Sequence, residues 1–191
     1  MTTELLGLTW DSTVVPAVQN PGTRVALFTF KTHLAGFVWD AAQLENNPYT
    51  FVEVKTLLDG VTVGGHKVSD TEQVLNLADS SKKLIELVQT GRFGLDKKTF
   101  TLLHGIIARN EALEWGVFRG EGEELHYNAR VHLGELGTHF PPATEAGAPE
   151  LNRIFAEGVS QIKALPPFEG ALAMFLFGAY FQFFFDGNKR T

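Results

Sequence analysis

Gln182-Phe183-Phe184-Phe185-Asp186-Gly187-Asn188-Lys189-Arg190-Thr191 is the stretch on which the reading of this chain turns. An apolar run ends there in an acid, a glycine, an amide and two cations. Glycine permits positive φ and close backbone approach, and successive N–H groups in such a turn form a concave anion nest. Lys189 and Arg190 add positive charge, and the planar fork of arginine suits phosphate oxygens. Asp186 offers a hard oxygen to Mg²⁺, which commonly takes one or two carboxylates together with substrate phosphates. Asp-Gly-Asn is equally an ordinary turn composition. The residue types alone therefore leave open a plain helix end with solvated cations.

Upstream of the cluster, Gly170 to Phe185 carries no charge. That run is shorter than the roughly 20 residues a membrane span needs, and Glu169 and Asp186 close it. It reads as a core helix from near Phe168 to Phe185, apolar all round because other helices surround it. Pro166-Pro167 separates it from a helix over about Pro149 to Ala164. Before that, Tyr127, Ala129, Val131 and Leu133 alternate with His126, Asn128, Arg130 and His132, a period of two that predicts a β-hairpin with its loop around Gly120 to Glu124.

Helical spacing dominates the rest. Leu27, Phe30, Leu34, Phe37, Val38, Ala41 and Leu44 predict one helix from Thr23 to about Leu44, ended by Glu45-Asn46-Asn47-Pro48. Thr50 to Glu53 and Ser69 to Glu72 match capping boxes, and Asp96 caps a further helix. Met1 to Gly22 has Pro16 and Pro21 and no period, so it reads as an irregular arm. The expected architecture is mainly α with one hairpin: an N-terminal part over 1–68 and a domain over 69–191.

Composition bounds the partners. The 191 residues are 44% hydrophobic, 20% charged and carry a formal charge of -6, which argues against a nucleic-acid-binding surface but leaves room for one local phosphate pocket. With no cysteine, disulfides and thiolate metal sites are excluded, and a reducing cytoplasm fits. Met1-Thr2-Thr3-Glu4 lacks the basic start of a signal peptide. His126, His132 and His139 lie close in sequence; a zinc site needs about four ligands, and hairpin surface is the competing reading. His33, His66 and His104 stand alone and read as structural.

Phe184 to Thr191 resembles the Fic (Fido) family signature, His-Pro-Phe-x-(Asp/Glu)-Gly-Asn-(Gly/Lys)-Arg-x-x-Arg, and Trp115-Gly116-Val117-Phe118-Arg119 resembles the Gly-x-Phe-Arg approach to that family's flap. The resemblance covers about Asp70 to Thr191 and implies a helical bundle with a β-hairpin flap. It implies transfer of AMP from ATP to a protein hydroxyl, with Mg²⁺ on Asp186. Gly187, Asn188 and Lys189 would bind the phosphates, and Arg190 would stabilise their charge. A target protein would dock on the flap, about Val117–Leu133.

Two departures qualify that implication. The family's general-base histidine falls on Gln182 and its proline on Phe183. A neutral amide can orient a hydroxyl but cannot take its proton, and losing a general base costs about 10²–10⁴-fold. The family's last arginine would fall two residues past Thr191, so the sequence is expected to be a piece of a longer protein.

Ala41-Ala42-Gln43-Leu44-Glu45-Asn46 resembles the family's inhibitory motif, (Ser/Thr)-x-x-x-Glu-(Gly/Asn), with Ala41 in place of the hydroxyl. Glu45 and Asn46 would then restrain the site from a helix over 23–46; Asp59-Gly60, with Lys55 at the hydroxyl position, is a weaker competitor. Two functions follow: an impaired nucleotidyltransferase, or a non-catalytic descendant that binds a nucleotide or a partner protein. A homo-oligomer is compatible with either.

Overall fold

The computed structural model describes residues 2–191, and among them the chain forms seven α-helices and two small hairpins. The expected irregular arm begins instead as an antiparallel hairpin, β1 (Thr2–Leu5) and β2 (Leu8–Asp11), with Leu5 opposite Leu8. Leu6 and Gly7 both take positive φ, the arrangement that matches the twist of two-residue hairpins. Leucine at the first turn position hides that signal from composition. Leu5 is buried, and Trp10 Nε1 and Ser12 Oγ both donate to Glu169 Oε1 at 2.7 Å, which fastens the hairpin to the far end of the chain.

The helix expected over 23–44 is two helices, α1 (Thr23–Thr32) and α2 (Leu34–Gln43). The break is His33, at φ −105° and ψ 16°. No proline or glycine causes it. α2 buries Val38 and Ala42 whereas α1 buries nothing, so tertiary packing overrides local continuity. α3 (Phe51–Leu58) has the expected capping box, Thr50 Oγ1 accepting from Glu53 N and Glu53 Oε2 from Thr50 N. α4 (Val68–Gln89) begins one residue before the expected box, with Lys67 as its N-cap, so Ser69 already lies inside the helix and caps nothing. α5 (Lys97–Ile107) is capped by Asp96, whose Oδ1 accepts from Thr99 N at 2.8 Å.

The expected hairpin around Gly120 to Glu124 lies further on. β3 (Val131–His132) pairs with β4 (Thr138–His139), Val131 opposite His139, and Leu133 N donates to Gly137 O across the turn. Alternation from His126 to Arg130 marks an extended loop without a strand partner. Phe118, Arg119 and Gly120 are buried, so the start of the expected flap belongs to the core.

α6 (Pro149–Ile162) and α7 (Pro167–Phe181) complete the fold. They meet where a Cβ on Gly158 would sit 2.3 Å from the Phe177 ring, so only glycine permits that approach. α7 stops at Phe181, four residues short of expectation, because Phe183 and Phe184 turn inward and bury completely. It is not surrounded: Phe168, Leu172, Phe175, Leu176 and Tyr180 face outward. Among the described residues no helix is long and apolar enough to cross a membrane.

Two apolar clusters result. One gathers Leu5, Phe100, Phe118, Phe155, Phe177 and Phe183 beneath the closing stretch; the other joins Val38, Ala42 and Val54 to Val74 and Ile107. α5 serves both, through Phe100 and Ile107.

Candidate functional site

The site is built where α7 ends. Gln182 takes a left-handed conformation, φ 49° and ψ 61°, which a side chain disfavours by roughly 1–2 kcal/mol. Surrounding bonds hold it there. Gln182 Nε2 donates to Ala179 O at 2.6 Å, and Gln182 Oε1 accepts from Asn188 Nδ2 at 2.9 Å. Arg119 Nε donates to Gln182 O at 2.7 Å, and Arg119 N donates to Phe183 O at 2.9 Å. The amide at the position of the family's base is therefore a brace within the loop.

Asn188 is spent on the same loop. Its Oδ1 accepts from Phe184 N, and its Nδ2 donates to Phe184 O as well as to Gln182. The side chain expected to meet phosphate is buried instead. What remains for an anion is backbone. Gly187 O accepts from Arg190 N and Thr191 N at 3.0 and 3.1 Å, opening a helical turn, and among the described residues Asn188 N and Lys189 N have no protein acceptor. Gly187, at φ +75°, packs beside His104, where a Cβ would lie 3.4 Å from the imidazole.

Asp186 is half exposed. Its Oδ1 accepts from Gly187 N at 2.6 Å and lies 3.6 Å from Arg190 Nη2. Among the described residues no three His, Cys, Asp or Glu converge on a metal position, His126, His132 and His139 included. His132 Nδ1 meets Thr138 Oγ1, and His139 Nε2 lies 2.8 Å from Tyr180 O. One carboxylate completed by phosphate oxygens nevertheless fits the habits of Mg²⁺.

The end of α2 comes directly onto these residues. Lys189 Nζ donates to Leu44 O at 3.1 Å and lies 3.1 Å from Glu45 Oε1, which is also 3.6 Å from Arg190 Nε. Asn46 has φ 57° and closes the helix: Asn46 N donates to Gln43 O and Asn47 N to Ala42 O, the paired bonds of a Schellman end. Asparagine tolerates that conformation, which is the local reason for its place after Glu45. Asp59, the weaker competitor, ends α3, and among the described residues no ion pair joins it to the closing turn.

Three residues of the site were not singled out from sequence for the parts they play. Glu111 Oε2 accepts from Arg190 Nη1 at 2.8 Å and covers an arginine whose side chain is 1% exposed. Arg119 is fully buried, and among the described residues it has no carboxylate partner; its Nη1 donates to Thr144 Oγ1 and its Nη2 to Pro142 O, and burial lowers its pKa to about 10. His104 stacks on Phe184 with ring centroids 3.5 Å apart. Its Nδ1 accepts from Gly116 N, so Nε2 is the nitrogen that donates to Asp186 O. Burial, aided by the nearby Arg190 charge, lowers the His104 pKa to about 4.

A helical domain with a hairpin and a polar loop closing its core helix is the fold of Fic domains. Two solved structures establish that likeness. A Fic family protein from Desulfovibrio desulfuricans G20 superposes with a TM-score of 0.63 at 19% identity, over 88% of this chain and 49% of its own. A Fic domain containing signaling protein from Bacteroides thetaiotaomicron VPI-5482 superposes with a TM-score of 0.69 at 19% identity, over 90% of this chain and 63% of its own. The chain thus has the Fic-domain fold and spans about half of one of these proteins and under two thirds of the other. No family model matches the sequence, and no curated protein matches it.

Proposed function

We propose that the turn from Gly187 to Arg190 binds the phosphates of ATP or another nucleotide with Mg²⁺ on Asp186, and that AMP transfer to a protein hydroxyl is suppressed. The observation that carries this reading is the state of Gln182. Its amide is neutral and is held between Ala179 O and Asn188 Nδ2. It has no basicity with which to take a hydroxyl proton. Asn188 N and Lys189 N would donate to phosphate oxygens at the start of a helical turn, where the backbone field favours negative charge. Bound Mg²⁺ would offset phosphate charge. Target capture would fall to the exposed β3–β4 hairpin by strand addition, which needs backbone groups more than particular side chains.

Electrostatics supports a restrained resting state. Glu45, Glu111 and Asp186 face two cations, Lys189 and Arg190. An incoming polyphosphate meets a net negative cluster until Glu45 withdraws. Glu45 and the Asn46 helix end therefore act as the inhibitory element, gripping cations of the closing turn itself.

Titration calorimetry with Mg·ATP tests binding, and ATP labelled at the α-phosphate tests transfer. Saturable heat that requires Mg²⁺ and is lost in Lys189→Ala, without label on protein, is the expected result. Label on protein in the unaltered chain would establish the transferase instead. Absence of heat in both the unaltered chain and Glu45→Gln would leave a protein-binding role alone.

A further inference from the structure

Arg190 is held by more than Glu45. Its side chain is 1% exposed, and the carboxylate in hydrogen-bond contact with it is Glu111, just past the C-terminal end of α5, at 2.8 Å. Glu45 stands further off, 3.6 Å from Arg190 Nε, and neither Arg190 Nε nor Glu45 Oε1 completes a hydrogen bond. Glu111 is itself held. The oxygen that takes Arg190 also accepts from Gln73 Nε2 at 2.8 Å, and Gln73 Oε1 accepts from Asn47 Nδ2 at 2.9 Å. Asn47 closes the end of α2, two residues beyond Glu45, and its Nδ2 also donates to Asp70 O. One continuous line of hydrogen bonds therefore runs from the α2 elbow through α4 to the arginine of the closing turn.

We infer that Glu111 is a positioning residue that latches Arg190 inward, and that the Asn47–Gln73 relay makes this latch respond to the α2 elbow. A planar guanidinium directs its donors according to which carboxylate holds it. With Glu111 in place, Arg190 Nη1 points along the relay and is unavailable to an anion at Asn188 N and Lys189 N. Displacing the elbow removes Glu45 and, in the same movement, the amide that steadies Gln73 against Glu111. Two restraints on the cations are thus released by one motion, whereas a lone Glu45 contact would leave Arg190 buried. The latch concerns the nucleotide site proposed above, but its geometry does not depend on a nucleotide being the ligand.

The two ideas separate experimentally. Phenylglyoxal labels exposed arginines, and peptide mass spectrometry reads each site. In the unaltered chain Arg190 should be protected, with Arg119, fully buried and bonded to Gln182 O rather than to Glu111, as internal reference. Glu111→Gln keeps the size and removes the charge; Arg190 should become reactive while Arg119 stays protected. Gln73→Leu, which removes the amide steadying Glu111 but no charge, should raise Arg190 labelling to an intermediate level, and Glu111→Asp should restore protection in part. Arg190 reactive in the unaltered chain, or protected in Glu111→Gln, overturns the latch. Arg119 and Arg190 becoming reactive together makes Glu111 a residue of the fold and overturns it equally. In calorimetry, Glu111→Gln should tighten Mg·ATP by about tenfold, the lower range of ordinary coupling between sites. Selective Arg190 labelling with no Mg·ATP binding in any variant keeps the latch and removes the nucleotide reading.

Discussion

At the scale of single residues, the fold holds His104 neutral. Its ring is enclosed, accepts from Gly116 N and donates to Asp186 O, an arrangement that only the neutral form satisfies. The native pKa of about 4 lies below the ordinary value of 6.5. Between those values the unfolded chain binds a proton that the native chain refuses, so His104 contributes stability that is full above about pH 6.5 and lost as pH falls through 4. The span corresponds to about 3 kcal/mol. Urea midpoints between pH 7 and 4, taken without magnesium, should fall less steeply in His104→Gln than in the unaltered chain. Gln182→His offers the complementary test. It supplies a base but gives up one of the two amide bonds of the brace; label transfer from ATP should rise while thermal stability drops. Unchanged transfer would mean that proton removal is not what limits this site.

Elements were legible where their signals are local. Thr50 with Glu53, Asp96 with Thr99 and Pro149 at the first position of α6 mark helix starts within four residues. The turn from Asp186 to Arg190 was legible for the same reason, since its parts are contiguous. The rest is held by partners far along the chain: Arg119 meets Gln182 across 63 positions, Arg190 meets Glu111 across 79, and His104 meets Asp186 across 82. No periodicity reports such pairs. The hairpin was misplaced because alternation shows an extended backbone but not its pairing, which here waits for the turn at Leu133 to Gly137. The premature end of α7 is not legible for a related cause: past Gln182 phenylalanines resume at Phe183 to Phe185, and only their direction changes. Contact between α6 and α7 gives this scale its prediction. Gly158→Ala forces a methyl against the buried Phe177 ring and should cost about 1–3 kcal/mol in chemical denaturation. Gly64→Ala, which meets nothing nearby, should cost far less.

Across the whole molecule, the N-terminal residues divide their allegiance. β1 and β2 pack with the core under α6 and α7, whereas α2 and α3 pack with α4 and the Ile107 end of α5. The first hairpin therefore stabilises the end of the chain. Leu5→Ala should lower overall stability by about 2–5 kcal/mol. Trp10→Phe, which removes one donor to the buried Glu169, should cost about 1–3 kcal/mol for the acceptor left short. Both effects should appear as a shift of one cooperative melt monitored by circular dichroism and by tryptophan fluorescence.

The buried Arg119 carries a consequence for the order in which the molecule assembles. Its bond to Gln182 O closes a loop of 63 residues around the β3–β4 hairpin and α6, and the ordering entropy of that closure must be met before the guanidinium gains any of its acceptors. α2 to α5, joined by neighbours in sequence, can reach native packing first, leaving the closing turn to condense last. Arg119→Met should then hasten unfolding severalfold while leaving the refolding limb of a denaturant chevron nearly unchanged. On this view the polar turn exists only in the finished protein, and any ligand it holds acts as a seal on completed folding.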